Sequence, residues 1–169
     1  MRACLLCAAL ASLTLGRALA QPAAGATDEF KELAAPAPPV YQTTGLIRID
    51  MPSSASLTYG LEPASLSIGE DGVVRYVMVA FNASGSINAL YEGMRCETGE
   101  VKTYARSSEL SHWTAVQQPK WRPVENNSLS RHALALARQG VCDGRTVAAR
   151  NVADMLRLLR TPLTNQQPY

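Results

Sequence analysis

The sequence predicts an α+β domain: an antiparallel β-sheet meander with C-terminal helices packed on one face, tied by one disulfide. Three observations predict it. Short strand-forming runs separated by turn dipeptides fill residues 46–105, and the apolar period lengthens toward that of a helix after residue 127. Only two cysteines, Cys96 and Cys142, lie beyond the first twenty residues. With 169 residues, 47% of them hydrophobic and 18% charged, the chain holds material for one substantial domain.

The N-terminus reads as a targeting segment. Met1-Arg2 supplies positive charge, residues 3–16 are almost wholly apolar, and Ala18-Leu19-Ala20 gives the small-x-small pattern that signal peptidase accepts. The apolar run is about 14 residues, against the roughly 20 that span a bilayer. Residues 1–20 are therefore expected to be a cleaved signal peptide rather than a retained anchor, with no membrane span afterwards. Cys4 and Cys7 open the apolar run, whereas a lipidated cysteine must follow it. Taking Arg2 and Arg17 from the 16 basic residues leaves 14, equal to the 14 acidic ones. A neutral domain without basic clusters has no field to collect nucleic acid, so none is expected as a partner. Residues 21–42 are rich in Ala, Pro and Gly. Pro36, Pro38 and Pro39 deny that stretch regular hydrogen bonding, which predicts a flexible or polyproline-like tether. The domain is placed at 43–161, followed by a disordered tail over 162–169.

Within the domain, Leu46–Ile49, Leu57–Leu61 and Ser65–Ile68 are candidate strands, and Asp71-Gly72 is a strong hairpin signal. Val73–Phe81 is the clearest strand. It is apolar on both alternating faces except at Arg75, which suggests a central position. Ser86–Cys96 and Glu100–Ala105 complete a three-strand meander through the turns Asn82–Gly85 and Thr98-Gly99. Asn127 or Ser128 then caps a helix over 129–139 with Leu129, Ala133, Leu136 and Ala137 inward, and Gly140 ends it. Asp143-Gly144 turns the chain into a second helix over 146–160. That helix carries Val147, Ala148, Val152, Met155, Leu156 and Leu159 on its apolar side and Arg150, Asp154 and Arg157 on a solvated one.

Cys96 and Cys142, an even pair in an exported chain, read as a disulfide; the bland alternative is two buried thiols. Such a bridge closes a loop of about 47 residues and contributes about 4 kcal/mol in the chain-entropy model. Cys96 and Cys142 do not have CxxC spacing and no finger-like ligand spacing occurs beyond residue 20, so neither a redox pair, a metal nor a cofactor is expected. His112 has Glu109 and Ser111 as chain neighbours, and Glu92, Glu97 and Glu100 invite a paired-carboxylate reading. Neither group has the constellation that catalysis needs, and no catalytic residue is expected. His132 falls in the first turn of the first helix, as a surface or packing residue. Arg75, Tyr91, Arg95, Trp113, Trp121 and Arg122 are the richer set, because aromatics and arginines dominate interaction hot spots. The competing reading is that the tryptophans fill the core.

The runs Asp71–Ala80, Tyr91–Cys96, Lys102–Ala105 and Trp121–Val124 resemble, in this order, blocks of the cryptic neisserial protein family, small exported proteins of Gram-negative bacteria. That resemblance covers roughly residues 57–160 and implies a periplasmic or envelope location without an activity. A more distant likeness is to the protein E surface adhesins, which implies an antiparallel sheet with a helix fastened by a disulfide. The sequence thus leads to a non-enzymatic envelope protein that binds another envelope protein or a surface component. The alternatives are a small periplasmic hydrolase using His112 or a glutamate pair, and a carrier of a small apolar ligand.

Overall fold

Nine residues that are almost all apolar must be covered on both sides, and β3 (Val73–Phe81) is covered: every residue but Phe81 is buried. Its neighbours are β2 (Thr58–Ile68) and β4 (Ile87–Arg95), both antiparallel to it. The computed structural model describes residues 30–109, 112–125 and 129–161. The expected signal segment 1–20 and tail 162–169 lie outside them, as do the expected caps Asn127 and Ser128. Among the described residues, the sheet runs β1-β2-β3-β4-β5-β6, with β1 at Ile47–Arg48, β5 at Glu100–Glu109 and β6 at His112–Ala115. A short β7 (Arg122–Pro123) pairs with the start of β5.

The architecture is the expected one, but several elements differ in extent. Leu57–Leu61 and Ser65–Ile68 join into the single strand β2 through a bulge between Glu62 and Ser67. Pro63 lies in that bulge, where the missing N–H breaks no ladder bond. Ser65 supplies the lost pairing itself: its Oγ accepts from Val77 N–H at 2.8 Å and donates to the Glu62 carbonyl at 2.7 Å. β5 extends past Ala105 to Glu109, and β6 and β7 escaped the pattern because each is too short to show a period.

The first helix, α1 (Arg131–Leu136), starts after Ser130 and widens into one turn over Ala137–Val141. Leu129 is 71% exposed rather than inward. Gly140 leaves that turn at φ +144°, as its expected role as stop requires. The second expected helix, 146–160, begins later. Thr146–Val147 (β9) instead pairs with Cys142–Asp143 (β8) across the Asp143-Gly144 turn. Helix α2 is Val152–Leu159, because Asn151 caps it by accepting Asp154 N–H at 2.9 Å.

The sheet buries both faces. On the inner face Leu61, Tyr76, Met78 and Met94 meet Leu136, Val141, Met155 and Leu159 from the helical half, each 1% exposed or less. Cys96, just past β4, is bonded to Cys142 with Cα atoms 5.5 Å apart, so the disulfide fastens the sheet to the helical half. The outer face carries a second apolar cluster of Val77, Val79, Ala89, Tyr91 and Ala105, closed by Tyr41. Residues 31–42, expected to be a tether, belong to this compact unit, which begins at Lys31 rather than at 43. Among the described residues no helix is long and apolar enough to cross a membrane.

Candidate functional site

Strand alternation decides which side chains share the outer face. Arg75 and Val77 of β3 lie opposite Gly93 and Tyr91 of β4, which lie opposite Lys102 and Ala105 of β5. A register shift between Tyr91 and Glu92 leaves Tyr104 as the extra residue on β5. A bulge of this kind re-aims a side chain, and Tyr104 extends over Gly93. A Cβ at Gly93 would strike the Tyr104 hydroxyl and would come within 2.9 Å of Val73 Cγ1. Tyr104 then packs 5.4 Å from Tyr91, ring centre to ring centre, with the Arg75 guanidinium 5.9 Å and the Lys102 ammonium 5.7 Å from its own. Trp121 receives Lys102 at 5.0 Å and Arg95 at 5.7 Å, and Trp113 packs 6.4 Å from Tyr91. Cations stacked over indole and phenol rings gain from the ring quadrupole.

Across this surface lies the proline-rich segment 32–41, here termed the strap. The carboxylate of Glu32 accepts from the Lys102 ammonium, from Tyr104 Oη at 2.8 Å and from Trp121 Nε1 at 3.1 Å. The next residue bonds through its backbone: Leu33 N–H donates to Asp71 at 2.9 Å, and its carbonyl accepts from Arg75 at 3.0 Å. Ala35 packs on the apolar cluster. Pro39 presents its carbonyl to Trp113 Nε1 at 3.0 Å, and Tyr41 packs 5.3 Å from the Trp113 ring with its hydroxyl 3.2 Å from Ser107 Oγ. Both tryptophans of the chain therefore donate their indole N–H to the strap.

Electrostatics follow the same geometry. Burial opposes charge on Glu32, but the hydrogen bonds from Lys102 and Tyr104, the Lys102 charge and the Trp121 indole outweigh it and lower its pKa. Asp71 is lowered too: burial works against it, and Arg75 with the Leu33 and Val73 amides prevails. Burial and the neighbouring Glu32 carboxylate push the Tyr104 hydroxyl up, so it remains a donor.

Five of the six candidate interaction residues, Arg75, Tyr91, Arg95, Trp113 and Trp121, share this face. Arg75 and Tyr91 are each only 3% exposed, holding the face together from beneath. Arg95, Trp113 and Trp121 are partly exposed. Arg122 differs: opposite Val101 on β7, it is exposed on the helical side. His112 is exposed on the edge strand β6. The three glutamates do not meet as a pair. Glu97 and Glu100 both approach Arg95, at 3.6 and 3.4 Å, whereas Glu92 points to the other side of the sheet.

There Glu92 makes a contact that the sequence reading missed. Its Oε2 lies 2.9 Å from His132 Nε2 and accepts from Tyr76 Oη at 3.3 Å, while Oε1 accepts from Thr103 Oγ1 at 3.0 Å. Tyr59 stacks on the imidazole at 5.1 Å. Burial raises the Glu92 pKa, but His132, Thr103 and Tyr76 together bring it below the ordinary carboxylate range. Burial lowers the His132 pKa, Arg106 adds to that, and the Glu92 carboxylate prevails and raises it. The two groups form a buried ion pair joining α1 to β4. A signal existed: Glu92 alternates with the inward Leu90 and Met94, so its carboxylate needs a partner from the element packed on that face. A cavity of about 180 Å³ reaches Glu92 and Thr103, with Arg122, Pro123 and Leu129 also lining it. Among the described residues, no group of three or more His, Cys, Asp or Glu side chains is placed to hold a metal ion.

Fold and site together define a class: a disulfide-fastened antiparallel sheet with helices on one face and an aromatic, cationic surface under its own extended segment on the other. The chain belongs to the CNP1-like family, whose model matches residues 25–160. No curated protein and no solved structure matches it.

Proposed function

We propose that this chain is an exported envelope protein that works by binding another protein or a surface component, without catalysing a reaction. The observation that carries this reading is the outer face, where five hot-spot residues gather and where both indoles and two cations, Arg75 and Lys102, already hold a peptide segment. The leader-like residues 1–20 favour export, and the Cys96–Cys142 bond favours an oxidising compartment. The likeness to cryptic neisserial proteins and, more distantly, to protein E adhesins agrees with an envelope location.

The competing readings have less support. His112 is exposed on an edge strand, and Glu92 and Glu100 lie on opposite faces of the sheet. Tyr76, Met78, Met94 and Leu136 fill the space between sheet and helices that an apolar carrier needs open.

The test is site-specific photocrosslinking in the native envelope. Crosslinkers at Trp113 and Trp121, partly exposed on the outer face itself, are expected to give adducts of one defined mass. A crosslinker at Arg157, exposed on α2, is expected to give none. Equal labelling at all three positions, or no adduct at any, would contradict the proposal.

A further inference from the structure

We infer that the outer face is a receptor groove for an extended, proline-containing peptide with an acidic residue four positions before its first proline, supplied by a partner protein and mimicked in cis by the chain's own strap. The inference rests on the binding function proposed above and names the chemistry of the partner segment.

The strap shows how such a segment is read. Glu32, Pro36, Pro38 and Pro39 set the spacing acidic-x-x-x-Pro-x-Pro-Pro. The acidic end docks by charge complementarity, on Lys102 with Tyr104 and Trp121 as further donors. The proline end docks by its backbone, since proline carbonyls are strong acceptors with no N–H of their own to satisfy, and Trp113 donates to one. Aromatic-lined grooves with an indole donor are a general solution for binding polyproline-type segments, which are pre-extended and lose little entropy on docking. None of the strap's residues 32–41 joins a β-ladder; the face binds it as it would bind a ligand.

The same face also holds an unmatched acceptor. Glu62, opposite Val77 on this same face, is 6% exposed, and its Oε2 has no partner among the described residues. A buried acceptor left unmatched is costly, and a partner segment with a donor at that point would satisfy it. The intact chain hides such affinity. A segment tethered by a short linker has an effective concentration on the order of millimolar, so a free peptide of similar sequence competes poorly until the strap is loosened.

The test uses the full chain and a fluorescent synthetic peptide of residues 31–42. One form of the protein carries a protease site at the exposed Thr44-Gly45, so that cutting leaves the strap held only by its contacts. A second form, Glu32→Ala, loosens the strap without a cut and serves if the cut form unfolds. The labelled peptide is expected to bind both forms saturably, at least about tenfold more tightly than it binds the wild-type chain, given the tethered competitor. The same peptide with Glu32→Ala is expected to bind at least about tenfold more weakly, having lost a charge-assisted contact. Failure of the peptide to bind either form, with circular dichroism showing the sheet intact, would overturn the inference. So would a doubling of mass with no uptake of free peptide, which would mean that two copies exchange straps. If the inference fails while the photocrosslinked adducts persist, the binding function stands and only its peptide ligand is wrong.

Discussion

Glu92 and His132 carry the largest stability effect expected of single residues. Removing one partner of a buried ion pair strands the other, at a cost of about 3–5 kcal/mol. His132→Ala and Glu92→Gln are both expected to lower the urea midpoint accordingly. Replacing both by leucine should recover only part, because Tyr76 and Thr103 then lose their acceptor. The pair also sets a pH optimum. His132 is raised in the fold, so its contribution is complete below its unfolded pKa of 6.5 and fades as pH rises through the folded value. Glu92 is lowered, so its contribution is complete above 4.5 and fades as pH falls through the folded value. Stability from this pair is expected to peak between pH 4.5 and 6.5. Arg106 lowers the folded His132 pKa, so Arg106→Ala should carry the fading of this contribution to higher pH. Unfolding curves that do not shift with pH between 4 and 8 would show that the pair contributes nothing to stability.

The elements show where sequence reasoning reached and where it stopped. β3 is legible as a nine-residue apolar, β-branched run, and β4 because its nine residues carry enough alternation to declare themselves. The same alternation marks Glu92 as inward, but no one-dimensional pattern says that His132 arrives opposite it. Pro63 and Ala64 break the pattern of β2 so that its sequence shows two strands; Ser65 restores the pairing through its side chain, a long-range bond that no local rule contains. Helix α2 is shorter than its apolar stripe predicts: Val147 and Ala148 fit that stripe, but the Asn151 cap decides the start. At this scale Gly140→Ala is the informative substitution. It combines a φ of +144° with a Cβ 3.1 Å from Leu158 Cβ, where α2 packs against the end of α1. A backbone strain of order 1–3 kcal/mol is expected, read as a lower midpoint with an unchanged m-value. Asn151→Ala should cost about 1 kcal/mol through the lost cap.

At the scale of the whole molecule, the two faces of the sheet divide the work. The inner face, with the helices, the ion pair and the disulfide, supplies stability; reducing Cys96–Cys142 is expected to remove up to about 4 kcal/mol while leaving the strap's partners in place. The outer face supplies a surface that grips a peptide. The strap was the least legible part of the chain, since proline-rich composition looks the same in a tether and in a docked ligand; only Glu32, Pro39 and Tyr41 meeting residues some seventy positions away distinguishes them. If the strap behaves as a bound ligand, it should leave the sheet as one unit without unfolding it. Hydrogen exchange of the two indole N–H groups, followed by NMR, tests this directly. The indoles of Trp121 and Trp113 are expected to exchange together, far faster than the Val77 and Tyr91 amides, and Glu32→Ala should accelerate both, although Glu32 touches only Trp121. Indoles that exchange only when the Val77 amide does, or a Trp113 indifferent to Glu32, would mean that the segment is an inseparable part of the core.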